Sequence, residues 1–184
     1  MKRIFIAIKV DAAESLLSMM TSLKSGLANE SVKWTRIDNI HITLVFLGDT
    51  DEGKISGIRS MLKEVCAGSG KFYLSLKGCG VFRNLNDPRI LWTGIDHSDK
   101  LAQLNEIIVN GLKKLSIKME DRPYNPHLTI GRIKDVSDRD LLKSLLDRFE
   151  NSKIQTVPVN EVILYESTLL QTGPVYQPIE KFDL

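Results

Sequence analysis

Asn39-Ile40-His41-Ile42-Thr43-Leu44-Val45-Phe46-Leu47-Gly48 decides the fold, because its outline returns as Pro126-His127-Leu128-Thr129-Ile130-Gly131-Arg132. Both copies read His, apolar, Thr, apolar, and the histidines stand 86 residues apart. Short segments rich in β-branched residues predict strands. Side chains alternate along a strand, so His41 and Thr43 share one face while Ile42 and Leu44 take the other. The same alternation separates His127 and Thr129 from Leu128 and Ile130. Each strand offers a buried apolar side and a face that carries an imidazole beside a hydroxyl. That doubled face is the candidate active site.

The residue types suit acid–base chemistry on a phosphate. Histidine is the side chain whose unperturbed pKa lies near neutrality, so a pair can hold one donating and one accepting ring together. Such a pair fits a reaction that deprotonates a nucleophile and protonates a leaving group. Two threonine hydroxyls can grip two oxygens of a tetrahedral anion. A single His-x-Thr is more often a satisfied strand residue than a catalyst. Here two of only three histidines fall in one pattern, which argues for function.

The rest of the chain frames the motifs. At 184 residues it fits a single domain, 1–184, with length enough for a real core. A net charge of +2 makes no global demand for nucleic acid, so any basic surface must be local. Cys66 and Cys79 lack metal-ligand spacing and read as free thiols of a reducing compartment. Ile4 to Val10 is too short for a signal h-region and no run reaches membrane-spanning length, so a cytoplasmic chain with no membrane partner is expected. No HExxH, clustered Cys, P-loop or dinucleotide fingerprint appears, so no metal and no cofactor is expected.

Periodicity predicts an α+β fold. Strands are expected at Ile4 to Val10, Val32 to Trp34, the first motif, Phe72 to Leu76, Arg89 to Ile95, the second motif, Thr156 to Thr168 and Val175 to Ile179. Glycines, asparagines and a proline between Gly78 and Pro88 predict a turn-rich connection, and Gly173-Pro174 predicts another turn. Four helices are expected, the first with a capping box from Asp11 and Glu14. The second spans Glu52 to Val65, the third is capped by Ser98 or Asp99, and the fourth is capped by Ser137 and ends near Phe149. A helix follows each His strand, a weak internal repeat that predicts two similar lobes facing across a cleft.

These motifs and their flanks resemble the two-histidine phosphoesterase superfamily, and most closely the RNA 2′,3′-cyclic phosphodiesterases, also known as 2′-5′ RNA ligases. The likeness runs from the opening strand Arg3-Ile4-Phe5-Ile6-Ala7-Ile8 through Trp34 and the first motif. It continues in Gly80-Val81-Phe82, Pro88-Arg89-Ile90-Leu91-Trp92-Thr93-Gly94, Tyr124 and the second motif, and Leu164-Tyr165-Glu166-Ser167. Arg83 departs from it, standing where relatives often carry proline. The resemblance implies a bilobal, pseudo-symmetric duplicated α+β fold, with two mostly antiparallel sheets facing a central groove and helices outside. It implies metal-free opening of RNA 2′,3′-cyclic phosphate ends to 2′-phosphates, and also 2′-5′ ligation by the same in-line displacement with a 5′-hydroxyl as the nucleophile. By the same resemblance His41 protonates the departing 3′ oxygen, His127 activates water, and Thr43 and Thr129 hold non-bridging oxygens. The expected partners are RNA 3′ ends, including tRNA-derived ones, or small nucleotides, and the chain is expected to act as a monomer.

Other residues have plainer readings beside functional ones. Arg132 lies three residues after Thr129 and points off the motif face on a straight strand. Gly131 permits a bulge that turns it back towards a phosphate, the alternative being a plain surface arginine, and the resemblance favours phosphate binding. Phe5, Trp34, Phe82 and Tyr124 are aromatic faces for base stacking; Trp34 and Tyr124 are preferred and Phe5 is assigned to the core. Arg36, Arg83, Arg89 and Arg122 form either a basic rim or ordinary solvated surface. His97 is expected in a solvent-facing loop, and the place of Tyr165 and Ser167 is open. The alternatives to the RNA enzyme are a phosphodiesterase of small cyclic nucleotides and a non-catalytic nucleotide-binding module.

Overall fold

Strand β1 (Lys2–Lys9) is apolar on both faces, and Ile4 to Ile8 are all buried. A strand of that kind belongs between two neighbours, and β1 pairs with β3 (His41–Thr50) on one side and β8 (Glu161–Leu170) on the other. The computed structural model describes residues 1–96, 98–119, 123–171 and 173–184. Its further strands are β2 (Ser31–Trp34), β4 (Phe72–Phe82), β5 (Ile90–Ile95), β6 (His127–Asp135), β7 (Lys153–Val159) and β9 (Gly173–Asp183). Its helices are α1 (Glu14–Gly26), α2 (Glu52–Ser69), α3 (Asp99–Lys114) and α4 (Arg139–Asp147).

Every strand pairing is antiparallel, and the order is β7-β4-β5-β6-β3-β1-β8-β9, with β2 added on β6. The order reads alike from its middle outward. β6 and β3 meet at the centre, β6 backed by β5 and β3 by β1; α3 alone connects β5 to β6, while α1 and then β2, which crosses over to β6, connect β1 to β3. The two expected sheets are therefore joined edge to edge. Among the described residues only Ile42 and Leu128 are partners across that join, and it makes one nine-stranded sheet. Ile42 and Leu128 sit in one apolar cluster with side chains from all four helices, such as Leu16, Ile58, Leu104 and Leu142. A second, small cluster of Phe5, Ala7, Ile163 and Tyr165 forms apart from it. No helix among the described residues is long and apolar enough to cross a membrane.

Several local expectations are corrected by contacts distant in sequence. The first helix has no capping box: Ala13 is its N-cap, and Gln155 of β7 accepts from Ala13 N at 2.9 Å while donating to Asp11 O at 2.7 Å. The fourth helix is capped by Asp138, which accepts from Leu141 N at 2.8 Å, because Ser137 gives its hydroxyl to Glu30. Ser98 caps α3 as expected. β4 runs on through Gly78 and Gly80 to Phe82, since β5 pairs with it along that length and satisfies its backbone. The expected strand Thr156 to Thr168 is two, broken at Asn160, and Gly173-Pro174 opens β9 rather than forming the turn. Arg83 has φ of 70°, a conformation closed to proline, which accounts for the departure at this position.

Candidate active site

β3 opens at His41 and β6 opens at His127, and their first seven residues share one exposure pattern: half-buried, buried, half-buried, buried, buried, exposed, buried. In an antiparallel pair, opposed residues lean to the same side. The fully buried Ile42–Leu128 pair therefore faces the helices. One residue either way, His41 comes opposite Thr129 and Thr43 opposite His127, on the other side of the sheet. The structure brings all four motif side chains to one face.

The shared pattern continues because both strands bulge at the same place. Against β1, Thr43 pairs with Ala7 and Val45 with Ile6, leaving Leu44 as an extra residue. Against β5, Thr129 pairs with Trp92 and Gly131 with Leu91, leaving Ile130 as the extra one. An extra residue reverses the alternation beyond it. Arg132 is thereby turned onto the His-Thr face, as the bulge reading requires. The bulged residue is Ile130, with Gly131 facing the core beside Val32 and Trp34. Phe46 holds the matching position in the other strand, five residues after His41, where Arg3 lies 4.9 Å over its ring. The matched positions thus differ in chemistry, cation on one side and aromatic on the other.

Each histidine is oriented by the backbone two residues before it. His41 Nδ1 lies 2.6 Å from Asn39 O, and His127 Nδ1 lies 2.8 Å from Asn125 O. A carbonyl only accepts, so each Nδ1 carries the proton and donates, which leaves Nε2 bare for chemistry. Aromatic edges steady the rings. His41 packs between Phe5 (5.0 Å) and Tyr176 of β9 (5.2 Å), and His127 meets Phe82 at 4.6 Å. Burial among these rings pushes His41 below the ordinary histidine range; the Asn39 carbonyl opposes that, while the charges of His127 and Arg132 reinforce it. Burial raises Tyr176, and the charges of Arg132 and Arg3 pull it back.

Some expected residues lie elsewhere. Trp34 and Tyr124 pack against the main core, and Trp34 sits beneath Lys24 of α1 on the helix side. The rings beside the motif are instead Phe5, Tyr176, Phe82 and Trp92. Phe5 belongs to the small second cluster with Tyr165, which stacks on it at 5.1 Å, rather than to the main core. Ser167 is buried. Arg36 pairs with Asp38, and Arg83 and Arg89 share Asp87, so these arginines are ion-paired surface. Arg122 and His97 lie outside the described residues. Cys66 and Cys79 are buried, and burial raises their thiols to about 11 and about 12. Among the described residues no three His, Cys, Asp or Glu side chains are grouped to hold a metal.

Tyr176 and the two carbonyls were not expected from the sequence. The carbonyls do leave a trace there, since both motifs read Asn-x-His. Tyr176 leaves none, because β9 reaches the site only through β8.

Comparison with known proteins gives a consistent result. The family model described as the 2'-5' RNA ligase superfamily matches residues 31–169. A Methanothermobacter thermautotrophicus protein named RNA 2',3'-cyclic phosphodiesterase is 33% identical over 184 residues, covering 99% of this chain and 98% of its own length. A Thermotoga maritima protein of the same name is 35% identical, covering 95% of this chain and 91% of its own. Among solved structures, a Thermus thermophilus protein superposes with a TM-score of 0.81 at 25% identity, covering 99% of this chain and 97% of its own.

Proposed function

Because the chain belongs to the 2'-5' RNA ligase superfamily, we propose that it is an RNA 2′,3′-cyclic phosphodiesterase that opens cyclic ends to 2′-phosphates. The observation that carries this reading is the matched pair of histidines, each with Nδ1 committed to a carbonyl, across one residue pair from each other. The names of its relatives support the same activity. In the reaction, Nε2 of His127 takes a proton from water as the water oxygen bonds to phosphorus in line. The bond from phosphorus to O3′ breaks, and Nε2 of His41 gives its proton to that oxygen. His41 is held towards its neutral form in the empty groove, and the anionic phosphate arriving beside it favours the charged form. Thr43 and Thr129 donate to the non-bridging oxygens, and Arg132 balances the charge that develops there.

Two similar lobes of one chain each supply a His-Thr pair, so the enzyme acts as a monomer and requires neither metal nor cofactor. A 5′-hydroxyl in place of water gives 2′-5′ ligation by the same displacement. A cytoplasmic setting fits two unbridged, buried cysteines. Incubation with an oligoribonucleotide ending in a 2′,3′-cyclic phosphate tests the reading. A 2′-phosphate product is expected, formed at the same rate in excess chelator. A 3′-phosphate product, or turnover that returns only with a divalent ion, overturns the mechanism.

A further inference from the structure

Arg132 has an unexpected neighbour. β2 pairs with β6 so that Lys33 stands directly opposite Arg132, while Val32 and Trp34 face the core beside Gly131. Lys33 therefore shares the face of Arg132, which is the His-Thr face. Among the described residues neither cation is in an ion pair, unlike Arg36, Arg83 and Arg89. Like charges directly opposed across two strands are unfavourable unless an anion lies between or beside them. The Lys33 ammonium also has a built surround. It lies 3.3 Å from where a Cβ of Gly173 would be, so the glycine leaves its place open. Asn39 Nδ2 donates to Pro174 O at 2.9 Å, tying this end of β9 to the residue whose carbonyl orients His41.

From this arrangement we infer that Lys33 binds the phosphodiester joining the terminal nucleotide to its 5′ neighbour, so that the enzyme reads an RNA chain rather than a lone nucleotide. The inference rests on the proposed activity for the position of the cyclic phosphate. Arg132 lies on the His-Thr face, just past Thr129 on the same strand, and so serves that phosphate. β2 lies one strand further out, about 4.8 Å away, and the lysine side chain carries its charge further still. The next anion along the chain is the 5′ phosphodiester, and a lysine suits it as a point charge without demanding one geometry. The RNA then leaves the groove between β2 and the start of β9.

The test compares Lys33→Gln and Lys33→Arg with the native enzyme on a nucleoside 2′,3′-cyclic phosphate, the same nucleotide with a 5′-phosphate, and a short oligoribonucleotide ending in the cyclic phosphate. In Lys33→Gln the ratio of kcat/KM for the oligonucleotide over the nucleoside substrate is expected to fall about tenfold, through KM, and Lys33→Arg to restore it. A loss on the 5′-phosphate nucleotide as large as on the oligonucleotide assigns the site to a terminal phosphate and overturns the RNA-chain reading. Equal losses on all substrates, or none, overturn the site. Binding of a 2′-phosphate-ended oligoribonucleotide gives an answer that needs no turnover. Its salt dependence should flatten by about 0.7 in log–log slope, the share of one phosphate contact on a single strand. If the native enzyme cleaves none of the substrates, the proposed activity fails and this slope alone decides on Lys33; an unchanged slope overturns the inference.

Discussion

A histidine in a groove has two ring nitrogens to place, and here a carbonyl two residues back places one of each pair. The rings are thus pre-oriented before substrate arrives, which is what proton transfer needs. His41→Ala or His127→Ala should each slow hydrolysis by about 10²–10⁴-fold, the usual worth of one positioned proton-transfer group. The fold should survive, since neither ring belongs to the main core. The profile of kcat/KM against pH should be a bell, because one ring must be charged and one neutral. Its acidic limb should fall below the ordinary histidine value of 6.5, in the direction in which burial moves His41. The same shift has a stability consequence. Below pH 6.5 the unfolded chain takes up a proton that native His41 resists, so stability falls with acid until the folded pKa is passed. His41→Gln should lessen that dependence, as urea titrations at several pH values would show. The threonines act differently. Thr43→Val keeps the strand and the shape but removes the donor, and should lose about 10²–10³-fold in kcat. Thr43→Ser should keep most of it, and a valine variant as fast as the native enzyme would make the hydroxyl structural.

At the scale of elements, the two bulges give the site its chemistry. Were Leu44 and Ile130 accommodated in regular strands instead of bulges, Phe46 and Arg132 would alternate onto the helix side, and a charged group there would be buried against apolar packing. A second device sits beside β6. Trp92 pairs with Thr129, and its indole lies over Gly80 and Gly94; a Cβ at Gly80 would come within 2.5 Å of the ring. Glycine at position 80 is therefore a packing requirement rather than a turn, which is why β4 runs through it unbroken. Gly80→Ala should cost about 1–3 kcal/mol by overpacking. It should also lower kcat, because the displaced indole backs Thr129. A variant with native stability in thermal unfolding and native kcat would show that the ring has free room.

At the scale of the molecule, β3 and β6 join the two halves of the sheet at a single pair among the described residues, Ile42 and Leu128. Both side chains are fully buried among helices of both halves, so packing holds this join, while the β2–β6 pairing and the hydrogen bonds of Gln155 and Glu30 fasten the halves at its flanks. Ile42→Ala and Leu128→Ala should each cost about 2–5 kcal/mol, the range for emptied core positions. Because the two side chains share one junction, a double-mutant cycle should show coupling of about 0.5–3 kcal/mol. Additive losses would mean that the two side chains do not act as one junction.

Alternation and residue type are local, and they made His41, Thr43, His127 and Thr129 a shared polar face, and the strand and helix order legible, from the sequence alone. The bulge after Thr129 was legible as an option, through Gly131 and Arg132. Whether it forms depends on β5, whose Leu91 and Trp92 skip a residue. The caps at Ala13 and Asp138, the burial of Trp34 and Tyr124, the second cluster around Phe5 and the opposition of Lys33 to Arg132 came only from the tertiary structure. Each is set by a partner far along the chain: Gln155, Glu30, the helices, Tyr165 and a strand register. A strand's period says which residues share a face. Which face is covered, and by what, is decided when the neighbouring strand chooses its register, because that choice minimises buried polar groups over the whole sheet rather than along one segment.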